Sequence, residues 1–163
     1  MSEVSRAKER RRQQAATQRA LVDRVQQSLP DERIKVVTRR LGRKVSDMLM
    51  EFAKPWLDEA RNNDQRRTVI GMAVLAWNMA AIPEPERWQG MSPEFAEKLG
   101  EPGKAILKEM IARKLVRYAE ETRAILDYEI TGAGDKMRVD VVYPLLPEEI
   151  ADLQHGYQGP EAL

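Results

Sequence analysis

Between Val69 and Ile82 the chain reads V-I-G-M-A-V-L-A-W-N-M-A-A-I, a run in which only Asn78 is overtly polar. Arg66 and Arg67 precede it and Pro83 stops it. A helix that crosses a bilayer needs roughly 20 apolar residues, so the run is too short to span one. A helix that is apolar on every side must be enclosed by protein. The run therefore predicts the central helix of one small soluble domain and argues against a membrane partner.

At 163 residues the chain is long enough to supply that enclosure and to carry tails besides. Its 33% charged and 42% hydrophobic residues are the balance of a folded chain. The net charge of +1 hides an asymmetry: residues 1–50 carry 13 Lys/Arg against 6 Asp/Glu, and residues 51–163 carry 14 against 20. A basic front and an acidic back raise self-association or an acidic partner as possibilities to test. There is no cysteine, which excludes disulfides, thiolate catalysis and Cys-based zinc sites and fits a reducing compartment. The opening M-S-E-V-S-R-A-K-E-R-R-R shows no apolar signal core, so a cytoplasmic location is expected.

The front of the chain, residues 1–30, reads as a basic helical arm, partly disordered. Leu21, Val25 and Leu29 recur every four residues, so its end should dock while its beginning frays. Residues 31–154 form the domain, and residues 155–163 a flexible tail. Residues 32–43 are ambiguous: Ile34 to Thr38 has strand character, yet Ile34, Val37, Leu41, Val45, Met48, Phe52 and Trp56 follow a helical stripe, which is favoured. Lys44 to Ala60 is the clearer helix, with Met48, Leu49, Phe52, Trp56 and Leu57 inward and Pro55 predicting a kink or two abutting helices. Asn62-Asn63-Asp64 makes a turn and an N-cap for the central helix. Pro83 begins an extended loop carrying Trp88 and Met91. Ser92 caps a short helix with Pro93 at its first position and Gly100 at its end. A further helix runs from Pro102 to about Glu120, with Ile106, Leu107, Met110, Ile111, Leu115 and Tyr118 as its apolar stripe. Lys104, Lys108, Arg113, Lys114 and Arg117 make its other faces basic.

The period then changes from helical to alternating. Ala124, Leu126, Tyr128 and Ile130 alternate with Arg123, Ile125, Asp127 and Glu129; Met137, Val139, Val141 and Tyr143 alternate with Lys136, Arg138, Asp140 and Val142. This is a β-hairpin with one apolar face, which must lie on the helices because an isolated hairpin is marginal in water. A four-residue loop, Thr131–Gly134, sets Tyr128 opposite Met137 and Leu126 opposite Val139, and pairs Glu129 with Lys136 and Asp127 with Arg138. A six-residue loop also matches the apolar faces but sets Asp127 against Asp140. Facing opposite charges favour the shorter loop. Pro147 to Gln154 completes the domain as a short helix. The fold class is α+β: a small, mostly helical domain with a buried central helix and a C-terminal antiparallel β-hairpin.

No constellation points to chemistry. The single histidine, His155, falls in the tail, so no nitrogen- or sulfur-ligated metal site is expected. Glu84/Glu86, Glu120/Glu121, Glu148/Glu149/Asp152 and Asp127/Glu129/Asp140 are acid groups by count, but loop ends, helix ends and hairpin charge pairing account for them. There is no phosphate-cradling glycine loop and no nucleophile elbow. Catalytic residues, cofactors and metals are therefore all expected to be absent. Asn78 must find partners if buried: either it tethers the Pro83–Met91 loop, or it lies at the base of a pocket lined by Trp77 and Trp88.

F52-A-K-P-W-L-D58, A76-W-N78 before a Pro-containing loop, R123-A-I-L-D-Y-E129 and the turn at Gly134-Asp135 together resemble a group of uncharacterised bacterial proteins, over about residues 44–142. The resemblance implies one domain with the arm as a local addition, and implies no activity. The leading expectation is a module acting through protein contacts, with a protein partner or itself as a homodimer. The alternative is nucleic-acid or ribosome association through Arg6, Lys8, Arg10, Arg11 and Arg12 with Arg39, Arg40 and Arg43. A small-ligand binder using Trp77, Asn78 and Trp88 comes third.

Overall fold

In the computed structural model, which describes residues 3–28 and 44–144, helices precede a two-stranded sheet in the order α1 (Glu3–Ser28), α2 (Val45–Glu59), α3 (Asn63–Ala80), α4 (Glu86–Gln89), α5 (Pro93–Arg117), β1 (Asp127–Thr131) and β2 (Arg138–Val142). The expected elements over residues 32–43 and 147–154 and the tail over 155–163 lie outside the described residues. So do Arg39, Arg40, Arg43 and His155.

α3 is the predicted centre. Asn62 caps it by accepting from the Gln65 amide, while the Gln65 side chain accepts from the Arg61 amide at 2.7 Å, a reciprocal closure of free donors. From Val69 to Ala80 no residue is exposed. α2 and α5 pack against it, presenting Met48, Leu49, Phe52 and Leu57 from one side and Leu107, Met110 and Ile111 from the other. Pro55 is taken up within a single helix rather than between two abutting ones. α5 breaks at Gly100, whose φ of 65° and ψ of 179° suit a residue without Cβ, giving two legs on either side of the predicted stop.

Two residues of the second leg depart from expectation. Leu115 lies exposed, and Lys114, assigned to the basic outer face, is only 6% exposed. Its ammonium donates to the carbonyls of Tyr118 and Glu121 at 2.8 and 2.6 Å and sits 4.5 Å from the Trp77 ring centroid. It closes the helix end from the inside. Burial lowers its pKa, with the charge of Glu121 opposing.

The hairpin is present but in a different register. Ile130 faces Val139, Tyr128 faces Val141, Asp127 faces Val142 and Glu129 faces Asp140. Tyr128 thus meets a residue four positions beyond the one expected, a slip that keeps every side chain on its face. Turn geometry sets it. Gly132 (φ 75°) and Gly134 (φ 55°) bracket a tight turn continued by a 3-10 helix over Gly134–Lys136. A Cβ on Gly132 would stand 2.4 Å from the Lys136 carbonyl oxygen. The Asn63 side chain accepts from the Gly134 amide at 2.9 Å, tying the turn to the start of α3. Met137, expected in the strand, becomes a core plug instead.

The alternation also fails before β1. Ile125, expected outward, is 4% exposed, and Leu126, expected inward, is 52% exposed. The strand proper begins at Asp127. Beyond that point Tyr128, Ile130, Val139 and Val141 pack toward the helical core as predicted.

The opposite face of the hairpin carries Asp127, Glu129, Asp140 and Val142, and α1 lies on it. Leu21 and Val142 are buried although neither belongs to the main core cluster. Arg24 pairs with Asp127, donates to the Tyr128 carbonyl at 3.4 Å and comes within 3.8 Å of Glu129. The ribbon is therefore covered on both sides.

Candidate functional site

Asn78 is a tether, though not of the expected segment. Its amide nitrogen donates to the Ile125 carbonyl and its oxygen accepts from the Ile125 amide, both at 2.8 Å. One side chain thus satisfies both backbone groups of a buried residue, as a neighbouring strand would. Beside it the Trp77 indole donates to the Arg123 carbonyl at 2.9 Å. Trp77, 1% exposed, meets Phe52 edge-on and also packs on Tyr118, with centroids 5.6 and 5.7 Å away.

The Pro83–Met91 loop is held by a different residue. Far from extended, it winds into α4, and the buried Arg87 guanidinium donates to the Met79 and Ile82 carbonyls at 3.0 Å each and to Glu84 at 3.1 Å. Arg87 thus serves carbonyls at and just beyond the end of α3, adding to the Ile82 amide that the Met79 carbonyl already accepts at 3.0 Å.

The three proposed pocket residues accordingly do not converge. Trp77 is buried in the aromatic cluster. Trp88 lines a shallow groove with Arg87, Lys108, Ala112 and Leu115. Asn78 borders another groove of about 540 Å³, formed between one face of α3 and the first leg of α5. Its walls are Gly71, Met72, Leu75, Phe95, Leu99 and Tyr128, with Thr68, Val74 and Lys98 completing it. Phe95 is 42% exposed although it is one of only two phenylalanines in the chain. Gly71 leaves room for the ring of β1: a Cβ there would stand 3.3 Å from the Tyr128 hydroxyl. Among the described residues Lys98 is the charged residue of the lining, and no carboxylate shares it. Sequence reasoning passed over this groove, yet the signal was present in Phe95 and Leu99, four apart on the short capped helix, and in a glycine inside the apolar run.

Four of the acids meet cations: Glu121, Glu84, Asp127 and Glu129. Glu121 pairs with Arg123, whose Nε donates to it at 2.7 Å. Burial raises the Glu121 pKa, but hydrogen bonds and charge from Arg123, with Lys114, outweigh it and the net shift is downward. Glu84 pairs with Arg87, and Asp127 with Arg24. Asp140 is pushed up, first by burial and also by Glu129 opposite it, against the pull of Lys44 and Arg138. Among the described residues no cluster of three or more His, Cys, Asp or Glu could hold a metal ion, and none of the described helices is long and apolar enough to cross a membrane.

The basic residues Arg6, Lys8, Arg10, Arg11 and Arg12 are all exposed on the first half of α1, and Lys8 and Arg12 line a concavity with Ser5, Glu9, Gln13 and Ala16. No protein family, curated protein or solved structure matches the chain.

Proposed function

We propose that this protein is an interaction module, working in the cytoplasm, whose contact surface is the groove between α3 and the first leg of α5. The observation that carries the reading is an open, apolar channel with an exposed phenylalanine on its wall and a single cation, Lys98, at its side. Such a channel matches helix-in-groove recognition, in which an amphipathic helix lays its apolar side chains between two rigid elements. The unanswered charge of Lys98 calls for a carboxylate beside that apolar stripe. We take the occupant to be such a segment of a partner protein; a second copy of this chain is the variant that light scattering decides.

A photo-crosslinking residue at position 95 of the full chain, expressed in its own cells, tests this directly. A single partner peptide with acidic and apolar residues, kept by Lys98→Arg and lost by Lys98→Glu, is the expected result. Crosslinks that persist unchanged in Lys98→Glu, or none at all from a folded chain, would remove the groove from the account.

A further inference from the structure

We propose that the shallow groove between α4 and the second leg of α5 is a binding site for a small carboxylate carried on an apolar body. It lies on a different surface from the groove of Lys98 and rests on different observations.

The second leg of α5 supplies the apolar wall. Lys108, Ile111, Ala112 and Leu115 fall at i, i+3, i+4 and i+7, which is one face of a helix. Ile111 is buried and makes the floor, while Ala112 and Leu115 are exposed above it. The core contacts of this leg are made by Leu107 and Met110 on its other side. Leu115 is therefore apolar surface that the fold itself does not use.

α4 supplies the charge. Arg87 is only 8% exposed, and its side chain is fixed: Nε serves the Met79 and Ile82 carbonyls and Nη1 donates to Glu84. Among the described residues nothing accepts from its Nη2. No side-chain nitrogen among them is both buried and without a partner, so Nη2 reaches solvent, and the groove is the opening that Arg87 lines. Lys108 lines the same groove with its ammonium 5.9 Å from the Trp88 ring centroid, and no carboxylate among the described residues pairs with it. Glu84 is the acid of the lining and is already engaged, accepting from Arg87 Nη1 at 3.1 Å and from Trp88 Nε1 at 3.3 Å. Two cations thus face one carboxylate beside an apolar wall.

That surplus of one positive charge calls for a single negative one. A carboxylate offers one oxygen to Nη2 and the other to the Lys108 ammonium, both as charge-assisted hydrogen bonds. The guanidinium is held in place before anything binds, so little side-chain freedom is lost on its account. Leu115 and Ala112 then cover the apolar body. The groove holds about 250 Å³, below the roughly 300–1,000 Å³ of sites for drug-sized ligands. The body is accordingly one ring or a short branched chain.

The experiment is a ¹H–¹⁵N NMR titration of the full chain with phenylacetate as the probe, read at the Trp88 indole N–H and the Leu115 amide. Phenylacetamide removes the charge, inorganic phosphate removes the body, and a peptide ending in Phe offers the same carboxylate from a protein terminus. Phenylacetate should give saturable shifts at both positions, with the amide and phosphate at least about tenfold weaker, the scale of one charge-assisted hydrogen bond. Lys108→Glu should weaken phenylacetate by at least the same factor, whereas Arg117→Glu, an equal charge reversal on the same helix outside the groove, should leave its affinity unchanged. Leu115→Gln should weaken phenylacetate without altering the response to phosphate. Unshifted Phe52 and Leu107 amides confirm that each variant keeps its core. Equal affinity for acid and amide would overturn the proposal, as would undiminished binding by Lys108→Glu, shifts at Phe95 in place of Trp88, or no shift at all. Tighter binding of the peptide than of phenylacetate would overturn the assignment to a free acid.

Discussion

The hairpin and the segment that leads into it are gripped from two sides in opposite ways. On the α3 side the contacts are neutral and buried: Asn78 closes both backbone groups of Ile125 at 2.8 Å, and Trp77 caps the Arg123 carbonyl at 2.9 Å. On the α1 side the polar contact is ionic and open, since the Arg24 side chain is 55% exposed where it meets Asp127. Buried neutral bonds are costly to leave unmade and indifferent to salt. Exposed ion pairs contribute little and are screened. The hairpin therefore belongs permanently to the helical core, whereas α1 is attached to it by a contact that solution conditions can adjust.

The sharpest way to break the comparison is Asn78→Leu. It leaves the amide and carbonyl of Ile125 without partners, at about 1–3 kcal/mol each, so a stability loss of roughly 2–6 kcal/mol is expected in urea denaturation. Asn78→Asp should do little better, because it keeps an acceptor for the Ile125 amide but sets a carboxylate against the Ile125 carbonyl. Next in size is Arg87→Met, which strips donors from the Met79 and Ile82 carbonyls. Ile82 is exposed and water can serve it, and the Met79 carbonyl keeps the Ile82 amide at 3.0 Å, so the expected loss is about 1 kcal/mol. A larger effect at Arg87 than at Asn78 would reverse the ranking of the two tethers.

These two residues also mark where sequence reasoning stops. The apolar run, the Asn62 and Ser92 caps, the Gly100 stop and the hairpin were legible because periodicity and capping act within a few residues. The partner of Asn78 was not, because Ile125 lies 47 residues away and any backbone amide would satisfy the same side chain equally well. The sequence places Lys114 on the basic outer face and singles out no role for Arg87, because nothing local says that a helix end will need its carbonyls served from inside. The register failed for a related reason. Charges within the ribbon favour the shorter loop, while Asp127 and Glu129 are answered by Arg24 on another element more than 100 residues earlier. The groove went unseen because its two walls come from separate helices.

Asp140 sharpens the comparison on the α1 face. Burial raises its pKa, and Glu129 opposite it adds to the rise. In the window between the ordinary carboxylate value of 3.8 and the raised one, the folded protein binds more protons than the unfolded chain. Stability therefore declines as pH increases through that window, and the cost persists at neutral pH. Asp140→Asn should stabilise at pH 7 by on the order of 0.2–1 kcal/mol, the scale of a cross-strand charge pair. The gain should vanish below the window. Glu121 has the opposite sign: its lowered pKa gives stability that is present above the ordinary carboxylate range and is lost in acid. Denaturation midpoints of Asp140→Asn and wild type at pH 3 and pH 7 separate the two contributions.

Arg24→Glu has the smallest expected effect on global stability and the most specific signature. It sets a new carboxylate beside Asp127 and Glu129 while leaving the Leu21 contact in place. Amide hydrogen exchange should quicken in α1 and stay unchanged in α3, because local opening of an attached helix does not require the core to open. Salt supplies the decisive reading. In the wild type, added salt screens an attraction and should speed α1 exchange; in Arg24→Glu it screens a repulsion and should slow it. If instead α3 amides accelerate together with those of α1, the two grips form one cooperative unit and the distinction between them disappears.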